Sequence, residues 1–333
     1  MLSNPRLRLP AVIVAAGCIA ALAQLARASE SVKVVSSFSI LTDLVERVGG
    51  EHVDVVTIVG HDSDAHVYEP KPDDVKAVAA AQLVVVNGLG FEGWLDRLVD
   101  SSGYKGPLVT ASNGVNVEKT EAGQDHGHVH SHGRGHDHDH DHGHGHDHSH
   151  SHGDYDPHAW QNAANAEIYV SNIASALCAV AEAKCPVFTA NAKAYRKELA
   201  ALHAEIKSAM ARIPEARRTV ITSHDAFGYF SAAYGVTFLA PEGVSTESEA
   251  SAKDVARLIR QIREDKASAI FVENITDPRL IEQISRETGL KGGGALYSDA
   301  LSGPDGPASS YIKMMQNNAR LLAEAMTASR GGT

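Results

Sequence analysis

Residues 125–160 read DHGHVHSHGRGHDHDHDHGHGHDHSHSHGDYDPHAW, and this stretch separates two halves of ordinary globular sequence. Thirteen of the chain's 19 histidines lie between His126 and His152, spaced mainly by Gly, Ser and Asp. A run with so little apolar surface predicts a disordered loop over residues 120–153 that presents many imidazole and carboxylate metal ligands. The stretch ends in Asp156-Pro157-His158-Ala159-Trp160, where one histidine stands between a proline and a helical pattern. His158 therefore suggests an ordered metal site beside a segment that captures metal at many positions.

On the amino-terminal side of this stretch, short apolar runs alternate with amphipathic segments. Strands are predicted at Val32–Ser37, Val53–Val59, Leu83–Asn87 and Leu108–Thr110, and helices at Ile40–Val48, Lys71–Ala81 and Trp94–Val99. Such alternation predicts a mostly parallel sheet covered by helices on both faces. Ligands of such sheets bind beyond the carboxyl ends of the strands.

On the carboxy-terminal side, two helical stretches precede a second series of strands and helices. The helical stretches are Ala159–Ala183 and Pro186–Arg212, and the second would be about 39 Å long at 1.5 Å per residue. Strands are then predicted at Thr219–Thr222, Val236–Leu239, Ala269–Glu273 and Gly294–Tyr297, and helices at Ala226–Tyr234, Ala252–Asp265, Pro278–Thr288 and Tyr311–Ala328. We predict an α/β protein with an amino-terminal lobe (29–185), a rigid linker helix (186–213) and a carboxy-terminal lobe (214–333).

Residues 1–28 have the features of a secretory signal peptide. A basic start precedes an apolar run at Ala11–Leu25 and a small-residue cleavage site at 26–28. Cys18 lies in a weak likeness of a lipoprotein box, but the apolar run continues past it and no Leu stands three residues before it. We therefore expect a soluble periplasmic protein rather than a lipid-anchored one.

The charge balance excludes some partners. The chain has a formal net charge of −11, and removal of the predicted signal peptide takes away three arginines and no acidic residue. An acidic surface repels nucleic acid and attracts cations. We therefore expect no nucleic-acid partner.

The cleaved chain would retain Cys178 and Cys185, seven residues apart. In an oxidising compartment this pair predicts a structural disulfide. Two free thiols on a helix, or a metal-binding pair lacking further ligands, are the alternatives.

Four residues with metal-ligating side chains each follow a predicted strand or stand where a loop meets a helix. They are His66, His158, His224 and Asp299. Taken singly, each is more often an ordinary loop residue, and Asp299 is the weakest because Asp is common in turns. If the strands are parallel, however, all four face the crevice between the lobes. Three imidazoles and one carboxylate form a four-coordinate set suited to zinc.

Four segments carry a family resemblance. DAHVYEP (64–70), DPHAW (156–160), SHDAFGYF (223–230) and YSDALS (297–302) resemble the metal-binding segments of the cluster A-I substrate-binding proteins of bacterial zinc and manganese ABC transporters. The similarity covers essentially the whole chain after the signal peptide, in the family's order. DPH followed by Trp, together with HDAFGYF, is specific, and YSDALS is a moderate match.

This resemblance implies two α/β lobes, a connecting helix and one metal held by His66, His158, His224 and Asp299. Manganese members tend to have a carboxylate at the third position, where this chain has His224, and the histidine-rich insertion is also typical of the zinc branch. Many zinc members have Glu before the first His, where this chain has Ala65. The fourth position therefore falls to Asp299, with Asp64 in reserve.

Glu69 and Glu273 lie near the predicted crevice and are candidates to orient the imidazoles from outside the ligand set. A salt bridge in the loop for Glu69 and a cap at the strand end for Glu273 are equally plausible roles.

The function predicted from these features is that of a high-affinity zinc receptor of an ABC uptake transporter. It would act as a monomer, bind one Zn2+ tightly and further Zn2+ weakly on the loop, and deliver zinc to a membrane permease. A periplasmic metallochaperone is a further candidate partner. The alternatives are a metal store or chaperone built on the loop, a manganese receptor, and a zinc hydrolase. A hydrolase is disfavoured because four protein ligands leave no open position for water and the sequence has no HExxH motif.

Overall fold

The computed structural model describes residues 31–120 and 155–328. The predicted signal peptide (1–28) lies outside the described residues, and so does the predicted histidine-rich loop (120–153) apart from Thr120. Within the described residues the fold is α/β, with two sheets of four parallel strands flanked by helices. The predicted fold class is confirmed.

The first sheet has the strand order β2-β1-β3-β4, and every pairing in it is parallel. Its elements are β1 (Val32–Phe38), α1 (Ser39–Gly49), β2 (Val53–Val59), α2 (Pro72–Ala80), β3 (Leu83–Val86), α3 (Leu95–Ser102) and β4 (Leu108–Thr110). The four residues of β3, LVVV, are all buried. A continuous run of apolar, mostly β-branched residues is typical of a parallel strand covered on both faces.

Two helices connect the sheets. A 3₁₀ turn at Ala159–Gln161 precedes α4 (Ala163–Val180), and α5 (Cys185–Ala211) follows with Pro186 in its first turn. The buried residues of α5 recur every three or four positions along one face: Phe188, Ala192, Tyr195, Leu199, Leu202, Ile206 and Met210.

The second sheet repeats the plan of the first, with the order β6-β5-β7-β8. Its elements are β5 (Thr219–Ile221), α6 (Gly228–Tyr234), β6 (Thr237–Leu239), α7 (Ala252–Asp265), β7 (Ala269–Glu273), α8 (Arg279–Thr288), β8 (Gly292–Leu296) and α9 (Tyr311–Thr327). In each sheet the chain runs from the first strand outward on one side and then crosses to the other side. The carboxyl ends of the strands beside that crossing are the expected ligand position.

The main hydrophobic core extends from one sheet to the other. It includes Phe38 of β1, Trp160 of the 3₁₀ turn and Tyr311 of α9 in a single buried cluster. Helix α5 packs against α4, α1 and α9, so it contacts helices from both halves of the chain. The Tyr311 hydroxyl donates a hydrogen bond to the carbonyl of Trp160 at 2.6 Å, and the Tyr311 N–H donates to the carboxylate of Asp43. The two halves are therefore joined by buried contacts as well as by a helix.

None of the helices within residues 31–120 and 155–328 combines the length and the apolar character that crossing a membrane requires.

A disulfide joins Cys178 in the last turn of α4 to Cys185 at the start of α5. It closes a loop with a sequence separation of seven residues at the joint between the two helices. The predicted structural disulfide is present.

Replacing both cysteines by serine should lower the free energy of unfolding by about 2–3 kcal/mol, because the unfolded chain loses a short covalent loop. Urea denaturation under oxidising conditions measures this loss, and reduced wild-type protein is the matched control. The four candidate metal ligands lie elsewhere in the chain, so the substitution should not affect them. Equal stabilities of the oxidised wild type and the double variant would contradict the prediction.

Candidate metal centre

The structure brings together all four residues singled out in the sequence. His66, His158, His224 and Asp299 each offer one ligand atom, and these atoms lie within 4.8 Å of one another. The last three are completely buried, and His66 is 6% exposed. The group is the one set of three or more such side chains with this spacing that is found in the described residues.

Parallel strands explain why residues so far apart in sequence meet. His66 follows β2, His224 follows β5, and Asp299 follows β8. His158 stands immediately before the 3₁₀ turn that leads into α4. Loops at the carboxyl ends of two facing parallel sheets thus converge on one point.

Asp299 is the residue that the three imidazoles share. Its Oδ2 lies 3.2 Å from Nε2 of His66 and 3.2 Å from Nε2 of His224, and its Oδ1 lies 3.5 Å from Nε2 of His158. Despite these short distances, neither carboxylate oxygen makes a hydrogen bond of acceptable geometry. A buried carboxylate without hydrogen bonds is costly unless a cation compensates its charge. The donor set and its unsatisfied oxygens therefore fit a divalent metal ion.

A second carboxylate positions His158. Asp156 Oδ1 accepts a hydrogen bond from the backbone N–H of His158 at 2.9 Å and lies 2.7 Å from its Nδ1. This contact fixes the ring so that Nε2 points toward Asp299. Carboxylates commonly orient metal-binding histidines in this way.

Glu273 at the end of β7 does the same for His224. Its Oε1 accepts hydrogen bonds from the backbone N–H groups of Ser223 and His224 at 2.8 and 3.0 Å, and its Oε2 lies 2.7 Å from Nδ1 of His224. The last contact is close, although its angle falls outside that of a regular hydrogen bond. Glu69, the other predicted positioning residue, is exposed.

The loop that carries His66 is held from both lobes. Asp64 Oδ1 accepts a hydrogen bond from the His66 N–H at 2.9 Å, and its Oδ2 accepts one from the Thr246 hydroxyl at 2.6 Å. Asp64, the reserve ligand of the sequence analysis, therefore holds the loop and is outside the converging set. Ala65 is completely buried, and its carbonyl accepts a hydrogen bond from the Trp94 indole.

The segments that carry His158 and Asp299 are also tied directly to each other. The Trp160 indole N–H and the Gln161 amide both donate to the carbonyl of Ser298, at 2.8 and 2.7 Å. These bonds join the residues that flank the two side chains, one from each half of the chain.

Asn87 and Glu92 form a supporting network that the sequence analysis missed. The Asn87 side chain donates to the carbonyl of Pro157 at 2.9 Å, and its amide oxygen accepts from the Tyr169 hydroxyl. Glu92 is buried and accepts from the backbone N–H of Asn87. The available signal was the position of Asn87, a polar residue directly after the apolar β3 strand.

Charge interactions set the protonation of the metal-free centre. Burial by itself lowers the pKa of His158, but Asp299 and Asp156 outweigh it and raise that pKa to about 9. Burial likewise opposes a charge on His224, whose pKa is nevertheless held well above its usual value by Glu273 and Asp299. Burial raises the pKa of Asp299, yet His158 and His224 bring it well below the usual range. Without metal, protons therefore balance the buried carboxylate near neutral pH.

Comparison with known proteins matches residues 34–325 to the family model described as zinc-uptake complex component A, periplasmic. The manganese ABC transporter substrate-binding lipoprotein PsaA of Streptococcus pneumoniae is 30% identical over 304 residues, which cover 90% of each chain. The iron ABC transporter substrate-binding lipoprotein MtsA of Streptococcus pyogenes serotype M1 is 30% identical over the same length and coverage.

Solved structures give the same relationship. The periplasmic zinc-binding protein TroA from Treponema pallidum matches with a TM-score of 0.77 and 26% identity, covering 90% of this chain and 100% of that one. A manganese-bound mutant of a periplasmic metal-binding protein from Candidatus Liberibacter asiaticus matches with a TM-score of 0.75 and 26% identity, covering 89% of this chain and 100% of the other.

Replacing Gly228 by alanine should weaken metal binding, measured with Zn2+ as the probe, roughly tenfold, because the added Cβ would stand 2.5 Å from Asp156 Oδ2 and push away the carboxylate that orients His158. Competitive titration against a chelator measures the affinity. Gly243→Ala is the control, since a Cβ there would meet no atom within 4 Å. Thermal denaturation verifies that both variants are folded. Equal metal affinities of the two folded variants would contradict the prediction that the space at Gly228 keeps Asp156 in place.

The affinity of the centre for a divalent metal, with Zn2+ as the probe, should rise as the pH rises from 7 toward 9, and metal binding at pH 7 should release protons. The reason is competition between protons and metal. His158 has a pKa of about 9 and the pKa of His224 is raised well above its usual value, so both rings are protonated at pH 7 and must lose their protons to bind metal. Calorimetric titrations in buffers of different ionisation enthalpy measure the release. A chain lacking residues 125–152 removes the contribution of the histidine run. A pH-independent affinity over this range would contradict the assignment.

Proposed function

The chain belongs to the family of periplasmic zinc-uptake complex component A, and on that basis we propose that it is a zinc receptor of an ABC uptake transporter. Membership of this family makes it a metal-binding substrate-binding protein that acts outside the cytoplasm and performs no enzymatic reaction. A substrate-binding protein of this class has a membrane permease as its partner. We further propose that the metal is zinc and that His66, His158, His224 and Asp299 bind it. We also propose that the protein is periplasmic and that the histidine run captures zinc.

The observation that supports zinc most directly is the donor set. His66, His158 and His224 supply three nitrogens and Asp299 supplies an oxygen, all within 4.8 Å. Imidazole-rich, four-coordinate sites suit zinc, whereas manganese prefers more oxygen ligands. Relatives that share this fold carry names that include manganese, iron and zinc, so the fold by itself does not select the metal.

The surroundings of the donors also favour tight binding of a cation. The Phe91 ring lies 4.8 Å from the His66 ring, and the Trp160 ring lies 5.3 Å from the His158 ring. These buried aromatic side chains exclude water from one side of the centre. A dry environment strengthens the interaction between a cation and the charge of Asp299.

In this proposal the predicted histidine-rich loop is accessory. It would gather Zn2+ on many weak imidazole sites and pass it to the centre. The protein would act as a monomer with lobes 29–185 and 214–333 joined by helix 186–213. Its centre would hold one ion for the permease. A periplasmic metallochaperone remains a candidate donor of zinc. If the protein were instead a metal store, the loop would be the main site and many equivalent ions would bind.

His224→Ala should abolish or greatly weaken one tight zinc site, because it removes a ligand and leaves Asp299 and Glu273 as buried carboxylates with one fewer imidazole. Competitive zinc titration with ion counting on the metal-stripped protein measures this loss. His61→Ala replaces an exposed histidine and should leave the tight site intact. Manganese titrated in parallel should bind more weakly than zinc to the wild type.

Deletion of residues 125–152 distinguishes a zinc receptor from a metal store in the same assay. The tight site should survive the deletion while the number of weakly bound ions falls. If tight binding disappeared with the deletion and ignored His224→Ala, the store would replace the receptor as the function of this chain.

A further inference from the structure

One tyrosine hydroxyl joins the helix that follows His224 to the segment that carries His158. Tyr229 lies in the first turn of α6 and is only 2% exposed. Its hydroxyl accepts a hydrogen bond from the backbone N–H of Glu118 and donates one to the backbone carbonyl of Asp156, both at 3.1 Å. A side chain of the second half of the chain therefore holds backbone groups of two segments that precede α4.

These two segments are also paired with each other. The N–H of Asp156 donates to the carbonyl of Glu118 at 3.0 Å, and Lys119 forms an antiparallel bridge with Tyr155. Tyr229 thus binds both segments at the point where they meet. Burial raises the pKa of Tyr229 to about 12, so near neutral pH its hydroxyl keeps the proton that it donates to Asp156.

The side chain of Asp156 lies against the same turn of α6. A Cβ at Gly228 would stand 2.5 Å from Asp156 Oδ2, so this glycine leaves the room that the carboxylate occupies. Tyr229, the next residue, holds the backbone to which that carboxylate is attached. Two consecutive residues of α6 therefore define where Asp156 lies.

The position of Asp156 matters because this residue orients a candidate metal ligand. Its Oδ1 accepts a hydrogen bond from the His158 N–H at 2.9 Å and lies 2.7 Å from Nδ1 of the ring. A shift of the Asp156 backbone would carry the carboxylate with it and turn Nε2 of His158 away from Asp299.

We propose that Tyr229 is a positioning residue for metal binding, which acts through Asp156 on the orientation of His158. This inference rests on the proposed function, because it assigns a role at the same centre. Both hydrogen bonds of the hydroxyl go to backbone groups of residues outside the ligand set, so its effect on the metal is indirect. It also couples two ligands from opposite halves, because His224 stands on the loop that leads into α6 while His158 depends on what α6 holds.

A second tyrosine of α6 offers a matched control. The Tyr234 hydroxyl accepts a hydrogen bond from the backbone N–H of Ala163 at 3.1 Å, and Tyr234 is 4% exposed. This bond also joins α6 to the chain that follows His158, but it does not involve Asp156. Replacing either tyrosine by phenylalanine removes one buried hydroxyl and preserves the ring.

The test is competitive titration of the metal-stripped, full-length protein with Zn2+ against a chelator. Tyr229→Phe should weaken tight binding roughly tenfold, the lower end of the loss that follows when a contact that orients a metal ligand is removed. Tyr234→Phe should leave the affinity close to that of the wild type. Thermal denaturation verifies that both variants are folded.

A double-mutant cycle with Asp156→Ala distinguishes positioning from a general loosening of the fold. Asp156→Ala should itself weaken binding about ten- to a hundredfold, and Tyr229→Phe should cause no further loss once that carboxylate is absent. The inference is overturned by an unchanged affinity of Tyr229→Phe, by equal weakening in Tyr229→Phe and Tyr234→Phe, or by a Tyr229→Phe loss that is the same with and without Asp156. Failure of the proposed function has a different signature, since Asp156→Ala and His224→Ala would then both leave tight binding unchanged.

Discussion

The structure depends on one buried negative charge. Asp299 comes from the second sheet, and its carboxylate is approached by two imidazoles from loops of the first half and one from its own half. A carboxylate withdrawn from water needs a compensating positive charge, supplied either by a metal ion or by protons on the histidines. The same charge that would hold the cargo therefore also holds the two halves of the molecule against each other.

Each of the three histidines is in turn held by a carboxylate of its own, through the ring or through the backbone. Asp156 contacts the ring of His158, Glu273 contacts the ring of His224, and Asp64 binds the backbone of His66. Asp156 and Glu273 each contact Nδ1 of a ring, so they direct Nε2 of His158 and of His224 toward Asp299 and limit the rotation of these two rings. A centre preorganised in this way loses less conformational entropy when a cation binds, and an ion that demands a different geometry fits it less well. Because Asp64 also accepts from Thr246, the placement of His66 depends on a loop of the other sheet.

The sequence predicted the architecture well because its strongest signals are local. The continuous apolar run LVVV of β3, and the spacing of Leu199, Leu202 and Ile206 on one face of α5, can each be recognised within a few residues. The four converging side chains were predicted from their places after strands or where a loop meets a helix, and from the family resemblance of the segments that carry them. The contacts that position them were harder to predict, because they link distant segments. The Asn87 side chain donates a hydrogen bond to the carbonyl of Pro157, 70 residues away, and no local sequence pattern predicts this contact. Glu69 and Glu273 had similar sequence signals, but only the fold shows that the second is buried beside His224.

Selectivity for a metal must come from details finer than the fold, since related chains of this shape carry names with different metals. Position 224 illustrates the point. Its side chain is completely buried and lies between Glu273 and Asp299. A carboxylate placed there would add a third buried negative charge to two others, which is strongly unfavourable unless Glu273 changes as well. The imidazole of His224 instead contacts Glu273 through Nδ1 and Asp299 through Nε2 and adds no negative charge. In this chain Glu273 therefore favours an imidazole over a carboxylate at position 224, and this supports the proposal of zinc.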